Sequence, residues 1–126
     1  MISNPIFENK NMSYSKQYLN TEVSVVMDRM LGTKHPKHGY TYPVNYGYIP
    51  NTKAPDGEEL DAYVLGVSTP VKKFTGSCIA IIHRLDDDDD KLIVVKPGQN
   101  YSDTEIREFT QFQEQYFKSR IVRGQK

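Results

Sequence analysis

The sequence predicts a mainly β domain, a small barrel or sheet with one helix packed against a side. Three observations carry that reading. About five short segments are rich in β-branched and aromatic residues. One segment near the C-terminus repeats its apolar residues at helical spacing. Clusters of Gly, Pro, Asn and Asp punctuate the chain between them. With 126 residues there is room for one domain around one core, and no internal repeat is visible.

Residues 1–20 are polar and aperiodic, rich in Asn, Ser and Lys. They read as an N-terminal arm, partly disordered and anchored by at most one turn, leaving residues 21–126 as the domain. "TEVSVVMD" (21–28) is short and β-branched, hence a strand. "RMLGTKHPKHG" (29–39) carries Gly, Pro and several bases and reads as loop. In "YTYPVNYGY" (40–48) aromatics alternate, but Pro43 and Gly47 interrupt them, predicting an edge or bent strand. "LDAYVLGV" (60–67) is a strand apolar on both faces, with Leu60, Ala62 and Val64 on one and Asp61, Tyr63 and Leu65 on the other. "TPVKKFTGS" (69–77) reads as a turn and "CIAIIHRL" (78–85) as the next strand. "DDDDD" (86–90) forms a hairpin tip, because "KLIVVKP" (91–97) returns at once as a strand. Over 101–122, Ile106, Phe109, Phe112/Gln113 and Tyr116 recur at helical spacing. Ser102 and Glu105 supply a capping box for that helix.

Composition narrows the function. Lys plus Arg and Asp plus Glu both number 16, so the basic excess of strong nucleic-acid binders is absent. A single cysteine, Cys78, rules out an intramolecular disulfide and predicts a reducing, cytoplasmic setting. The apolar runs are only a few residues long, too short to span a bilayer. The N-terminus lacks the basic start and apolar stretch of a signal peptide.

The acids are the chemical signal. Asp56, Glu58 and Glu59 crowd a Pro-Asp-Gly turn, which by itself reads as a solvated turn entering a strand. Asp61, however, follows on a strand fit for burial, and a buried carboxylate needs a charged partner or a metal. Clustered hard oxygen donors without nearby His or Cys suit Mg²⁺ or Mn²⁺ better than zinc. Of Asp86–Asp90, most simply face water, while one or two are candidate ligands. Lys91 at their edge is placed to hold an anion beside a metal. Tyr40, Tyr42, Tyr46 and Tyr48 read first as half-buried β-surface aromatics. Their alternatives are phenols aimed at phosphate oxygens or a platform for stacked bases. His35 and His38 lie on a Pro-interrupted loop without further ligands at zinc spacing. Cys78, opening an apolar strand, reads as core.

Together these motifs resemble the family I (soluble) inorganic pyrophosphatases, from about Val25 to Lys118. The anchor is "YPVNYGYIPNT" followed by "DGEELD", similar to that family's Tyr-Pro-x-Asn-Tyr-Gly block and Asp-Gly-Asp-Pro-x-Asp signature. The resemblance implies a five-stranded OB-like barrel with a C-terminal α-helix, dependence on a divalent ion, a homo-oligomer, and hydrolysis of diphosphate to two phosphates. It places Asp56, Glu58 and Asp61 on the three metal-binding acids, and Tyr42 and Tyr46 on the active-site tyrosines. Asp89 and Lys91 match the later Asp-x-Lys, with Asp86 as its preceding acid. "FQEQY" (112–116) puts Tyr116 at a phosphate-binding position. The lysine that usually follows directly is Phe117 here, with Lys118 one place later. Asp28 and Lys34 match the first-strand Glu and the phosphate-binding Lys.

Three departures stand out. A longer hairpin before the tyrosine block is missing. The arginine it contributes has no clear equivalent, with Lys34, Lys37 or Arg29 as substitutes. Glu58 replaces the Asp that serves as base, and a misplacement near 1 Å can cost on the order of a hundredfold. The resemblance therefore implies catalytic roles for Glu58, Tyr46, Lys34, Lys91 and Tyr116, metal binding by Asp56, Asp61, Asp86, Asp89 and Glu58, and substrate contacts from Tyr42 and Lys118. The alternatives are a metal-dependent hydrolase of a nucleotide or small organic diphosphate, and a non-catalytic OB-like binding module.

Overall fold

A computed structural model describes residues 14–54, 56–87 and 89–124; most of the expected arm, residues 1–13, lies outside them. Residues 14–16 are helical and lead through a turn into β1 (Glu22–Arg29). There follow β2 (Asn45–Ile49), β3 (Leu60–Val64), β4 (Lys73–Arg84), β5 (Asp90–Val95), the helix α1 (Asp103–Glu114) and β6 (Ser119–Arg123). Strand order is β1-β2-β3-β5-β4-β6, and β1 also pairs with β4, so the first five strands close on themselves as a barrel. Every pairing is antiparallel except β3 with β5.

Two expectations are corrected. Residues 73–77, read as turn, begin β4, because they pair with Val26–Glu22 of β1. The helix expected over 101–122 stops at Glu114. Residues 119–123 are a strand instead, laid along residues 80–84 of β4. Ile121 and Val122 suit a strand, and the free edge of β4 supplies the hydrogen bonds that a longer helix would otherwise provide. The helix start needs no correction: Ser102 accepts from the Glu105 N–H and Glu105 reaches back to the Ser102 N–H.

The alternation read in β3 becomes two apolar layers. Leu60, Ala62 and Val64 join Val25, Leu92 and Val94 in one cluster, which fills the barrel. Tyr63 and Leu65 join Ile93, Val95 and Ile106 in the other, between barrel and helix. An irregularity in β4 between Cys78 and Ala80 shifts its parity. Cys78 and Ile81 therefore face the barrel, while Ala80 and Ile82 face the helix. The helix buries Ile106, Thr110, Gln113 and Glu114. Phe109 and Tyr116, expected on its apolar stripe, are exposed. β1 and β2 come closest at Gly47, where a Cβ would overlap the Val26 carbonyl and lie 2.7 Å from Met27 Cα. No helix among the described residues is long and apolar enough to cross a membrane.

Candidate active site

The parallel pairing of β3 with β5 sets Asp61 directly beside Lys91. Asp61 Oδ2 accepts hydrogen bonds from Lys91 Nζ at 2.6 Å and from the Tyr46 hydroxyl at 3.0 Å. Lys91 Nζ also donates to Asp89 Oδ2 at 2.8 Å. The lysine side chain is 4% exposed, whereas those of Asp61 and Asp89 are 33% and 25% exposed. Burial works against the ammonium charge, but the two carboxylates outweigh it and hold the Lys91 pKa above its ordinary value. Burial, reinforced by the Asp61 charge, pushes the Tyr46 phenol well above 10.0. It therefore stays a protonated donor.

On the water side of Asp61 lies an acidic pocket of about 320 Å³. The strands contribute Asp28, Tyr48 and Asp61, and the hairpin contributes Asp89; the loop before β3 adds Asp56, Glu58 and Glu59. That loop is folded by its own hydrogen bonds. Gly57, at φ 90°, donates to the Ala54 carbonyl, and Ala54 donates to the Glu58 carbonyl. The Glu58 N–H meets Asp56 Oδ1 at 3.0 Å, and Thr52 Oγ1 receives the Leu60 N–H. Burial first, then the Asp61 charge, raises the Asp28 carboxyl above 3.8. The donors are all hard oxygens, as a magnesium-like dication requires. Among the described residues no three of them yet converge on one point, and the Lys91 ammonium stands between Asp61 and Asp89.

The other side of Lys91 and Tyr46 faces a pocket of about 550 Å³. Tyr42, Arg84, Gln113 and Tyr116 line it with them, below His35 and His38. Tyr40 and Tyr42 donate to Gln113 Oε1 at 2.8 and 3.0 Å, and Gln113 Nε2 donates to the Tyr63 hydroxyl. Tyr63 donates in turn to Glu114 Oε2 at 2.6 Å. Glu114 also takes a forked pair from Arg84, Nε at 3.0 Å and Nη2 at 2.7 Å. Burial pushes the Tyr42 phenol up to about 12. His35 Nδ1 accepts the Lys37 and His38 N–H groups. A separate cavity of about 460 Å³, between Asn20, Cys78 and Arg123, contains no acid.

The anionic and cationic pockets thus share one wall, made by Asp61, Lys91 and Tyr46. Asp56, Glu58, Asp61 and Asp89 gather on its acidic side, and Tyr42, Tyr46, Lys91 and Tyr116 on the other. Three expected residues stand outside both pockets. Asp86 accepts the Lys118 N–H at 3.0 Å on the far side of the hairpin. Lys118 itself is exposed and lies beyond the end of the helix. Lys34 is exposed, its backbone bridged to Thr41. The sequence reading missed Arg84, Gln113 and Glu114. A signal existed for the last two: they follow Ile106 and Thr110 on one helical face (i, i+4, i+7, i+8), where a polar pair is anomalous.

Comparison with known proteins bears on the family and the fold. The inorganic pyrophosphatase family profile matches residues 2–122. Inorganic pyrophosphatase 1 of Pseudomonas syringae pv. tomato is 43% identical over 79 residues, 55% of this chain and 42% of that protein. The inorganic pyrophosphatase of Saccharolobus solfataricus is 32% identical over 95 residues, 74% of this chain and 51% of that one. The chain spans about half the length of these relatives. Among solved structures, the Helicobacter pylori inorganic pyrophosphatase superposes with a TM-score of 0.64 at 19% identity, covering 81% of this chain and 84% of that one. The Ehrlichia chaffeensis enzyme gives 0.61 at 19% identity, covering 78% and 82%. At these identities the structural matches speak for the fold.

Proposed function

Since the chain belongs to the inorganic pyrophosphatase family, we propose that it hydrolyses inorganic diphosphate to two phosphates with the help of a divalent ion, Mg²⁺. One observation carries the proposal: a pocket walled by oxygen donors abuts a pocket lined by buried cations and phenols, and Asp61, Lys91 and Tyr46 join them. Diphosphate is a dense polyanion whose hydrolysis needs charge neutralised on the phosphoryl groups and a proton removed from water. Asp56, Asp61 and Asp89, which do not converge on one point without the ion, would hold the dication, which, when bound, offsets phosphoryl charge and makes water more acidic.

The remaining chemistry belongs to the side chains. Glu58, exposed on the acidic rim, takes the proton of the attacking water. Its backbone N–H is fixed by Asp56 Oδ1, and its side chain extends from that turn into water. Lys91 donates its remaining N–H to the phosphate that leaves, and Tyr46 does so on exchanging its bond to Asp61; both are buried, so their hydrogen bonds act where water competes least. Tyr116, exposed at the mouth, and Tyr42, anchored on Gln113, bound the space into which that phosphate moves. Lys34 and Lys118 have no role in this scheme.

The test is phosphate release from diphosphate compared with a panel of nucleoside di- and triphosphates, each with Mg²⁺. Diphosphate is expected to be turned over fastest. Turnover confined to the nucleotides, or none at all, refutes the proposal.

A further inference from the structure

We propose that Arg84 is a phosphate-binding residue of this site, and that it supplies from β4 the positive charge missing where Phe117 stands in the place of a lysine. The inference rests on the diphosphate reading of the cationic pocket.

Arg84 is the last residue of β4, and its side chain is only 7% exposed. Three contacts fix the guanidinium. Glu114 takes its Nε and Nη2 edge as a fork, at 3.0 and 2.7 Å. The ring of Phe117 lies against its face, 3.6 Å from Cζ to the ring centroid. Glu114 is itself held by the Tyr63 hydroxyl at 2.6 Å, so the fork has a rigid base. The third nitrogen, Nη1, is differently placed. Its nearest carboxylates, Asp87 and Asp89, are 3.6 and 3.9 Å away, beyond hydrogen-bonding distance. Among the described residues no buried side-chain nitrogen or oxygen lacks a partner. Among those residues Nη1 is thus held only by these two long ion pairs, and Arg84 lines the cationic pocket.

That leaves a planar, permanently charged donor, immobilised on one edge and one face, its Nη1 held only by two long ion pairs, lining a space shared with Lys91, Tyr46 and Tyr116. Tetrahedral phosphate oxygens are the ligands such a donor suits. The swap is also physically coherent. A lysine at 117 would place an ammonium against the guanidinium, whereas phenylalanine offers it the negative face of a ring. The same substitution that removes one cation therefore steadies the other.

The test uses the full chain in Mg²⁺, with inorganic phosphate titrated by calorimetry and diphosphate turnover measured in parallel. Arg84→Met is expected to weaken phosphate binding by about tenfold to a hundredfold, and KM for diphosphate to rise by more than kcat falls. Because that variant strands Glu114 in a buried position, Arg84→Met with Glu114→Gln removes both charges and keeps the test valid if the single variant unfolds. Adding Phe117→Lys to the double variant should recover part of the lost phosphate affinity. Phosphate affinity within twofold of wild type in a folded Arg84→Met protein, or in the double variant, overturns the proposal. Wild-type protein that binds phosphate through Arg84 but hydrolyses no diphosphate sinks the activity while upholding the arginine's role. Wild-type protein that does neither sinks both.

Discussion

Replacing Asp61 with asparagine separates the structural and chemical roles of the carboxylate at the shared wall. Asp61 Oδ2 receives two hydrogen bonds, from Lys91 Nζ at 2.6 Å and Tyr46 at 3.0 Å. Hydrogen bonds to a charged group contribute about 1.5–3 kcal/mol. Lys91 keeps its contact with Asp89, the new amide oxygen still accepts one bond, and the aspartate is one-third exposed to water. The metal-free variant should therefore lose only about 1–2 kcal/mol, a fall in Tm of about 3–8 °C for a domain of this size. The metal-linked effect should be larger. A ligand at a hundredfold excess over its Kd stabilises the folded state by about 2.7 kcal/mol, and each tenfold loss of affinity removes about 1.4 kcal/mol of that. Thermal melts of wild type and Asp61→Asn with and without Mg²⁺, run beside a phosphate-release assay, read both quantities. Wild type should gain Tm on adding Mg²⁺, and the variant should gain little and release phosphate at least on the order of a hundredfold more slowly. An equal Mg²⁺-induced rise in both proteins, with turnover unchanged, would falsify the assignment of Asp61 to the metal.

Two other outcomes follow from the barrel itself. Gly47→Ala drives a Cβ into the Val26 carbonyl, backbone that cannot swing aside, so urea unfolding should show a loss of about 3 kcal/mol or more; a loss under about 1 kcal/mol would mean the two strands can part without penalty. Burial lifts the Cys78 thiol to about 12 from 9.0, so the native protein at pH 8 should resist iodoacetamide and react only once unfolded in urea. The sign is that of a raised pKa: this thiol's stabilising contribution is complete below 9.0 and is lost as the pH climbs towards 12, so native alkylation should begin only at strongly alkaline pH.

Local chemistry was readable wherever one segment contained its own explanation. Ser102 and Glu105 cap the helix because both partners lie within one turn. The two-faced character of β3 showed in its composition, and its two faces do enter different apolar layers. The acids around Asp56 and Asp61 announced themselves by density. What stayed hidden was decided at a distance. Residues 73–77 became strand because β1 offered a partner about 50 positions earlier, and nothing within "KFTGS" records that. Ser119–Arg123 looked helical because Tyr116 happened to continue a spacing that had already ended. Arg84 closed an apolar strand without any local mark of use; its fork to Glu114 spans 30 positions. Asp86 and Lys118 drew attention through their neighbours in sequence, yet they bond to each other across 32 positions and line neither pocket.

The parallel register of β3 and β5 ties competence to closure. Asp61 and Lys91 are 30 positions apart, and they meet only after β4 has been laid down to let β5 return alongside β3. With β3 and β5 unpaired, the carboxylate and the ammonium lie on separate strands, with no wall between two compartments. The wall between the two pockets therefore exists only while that one seam is shut.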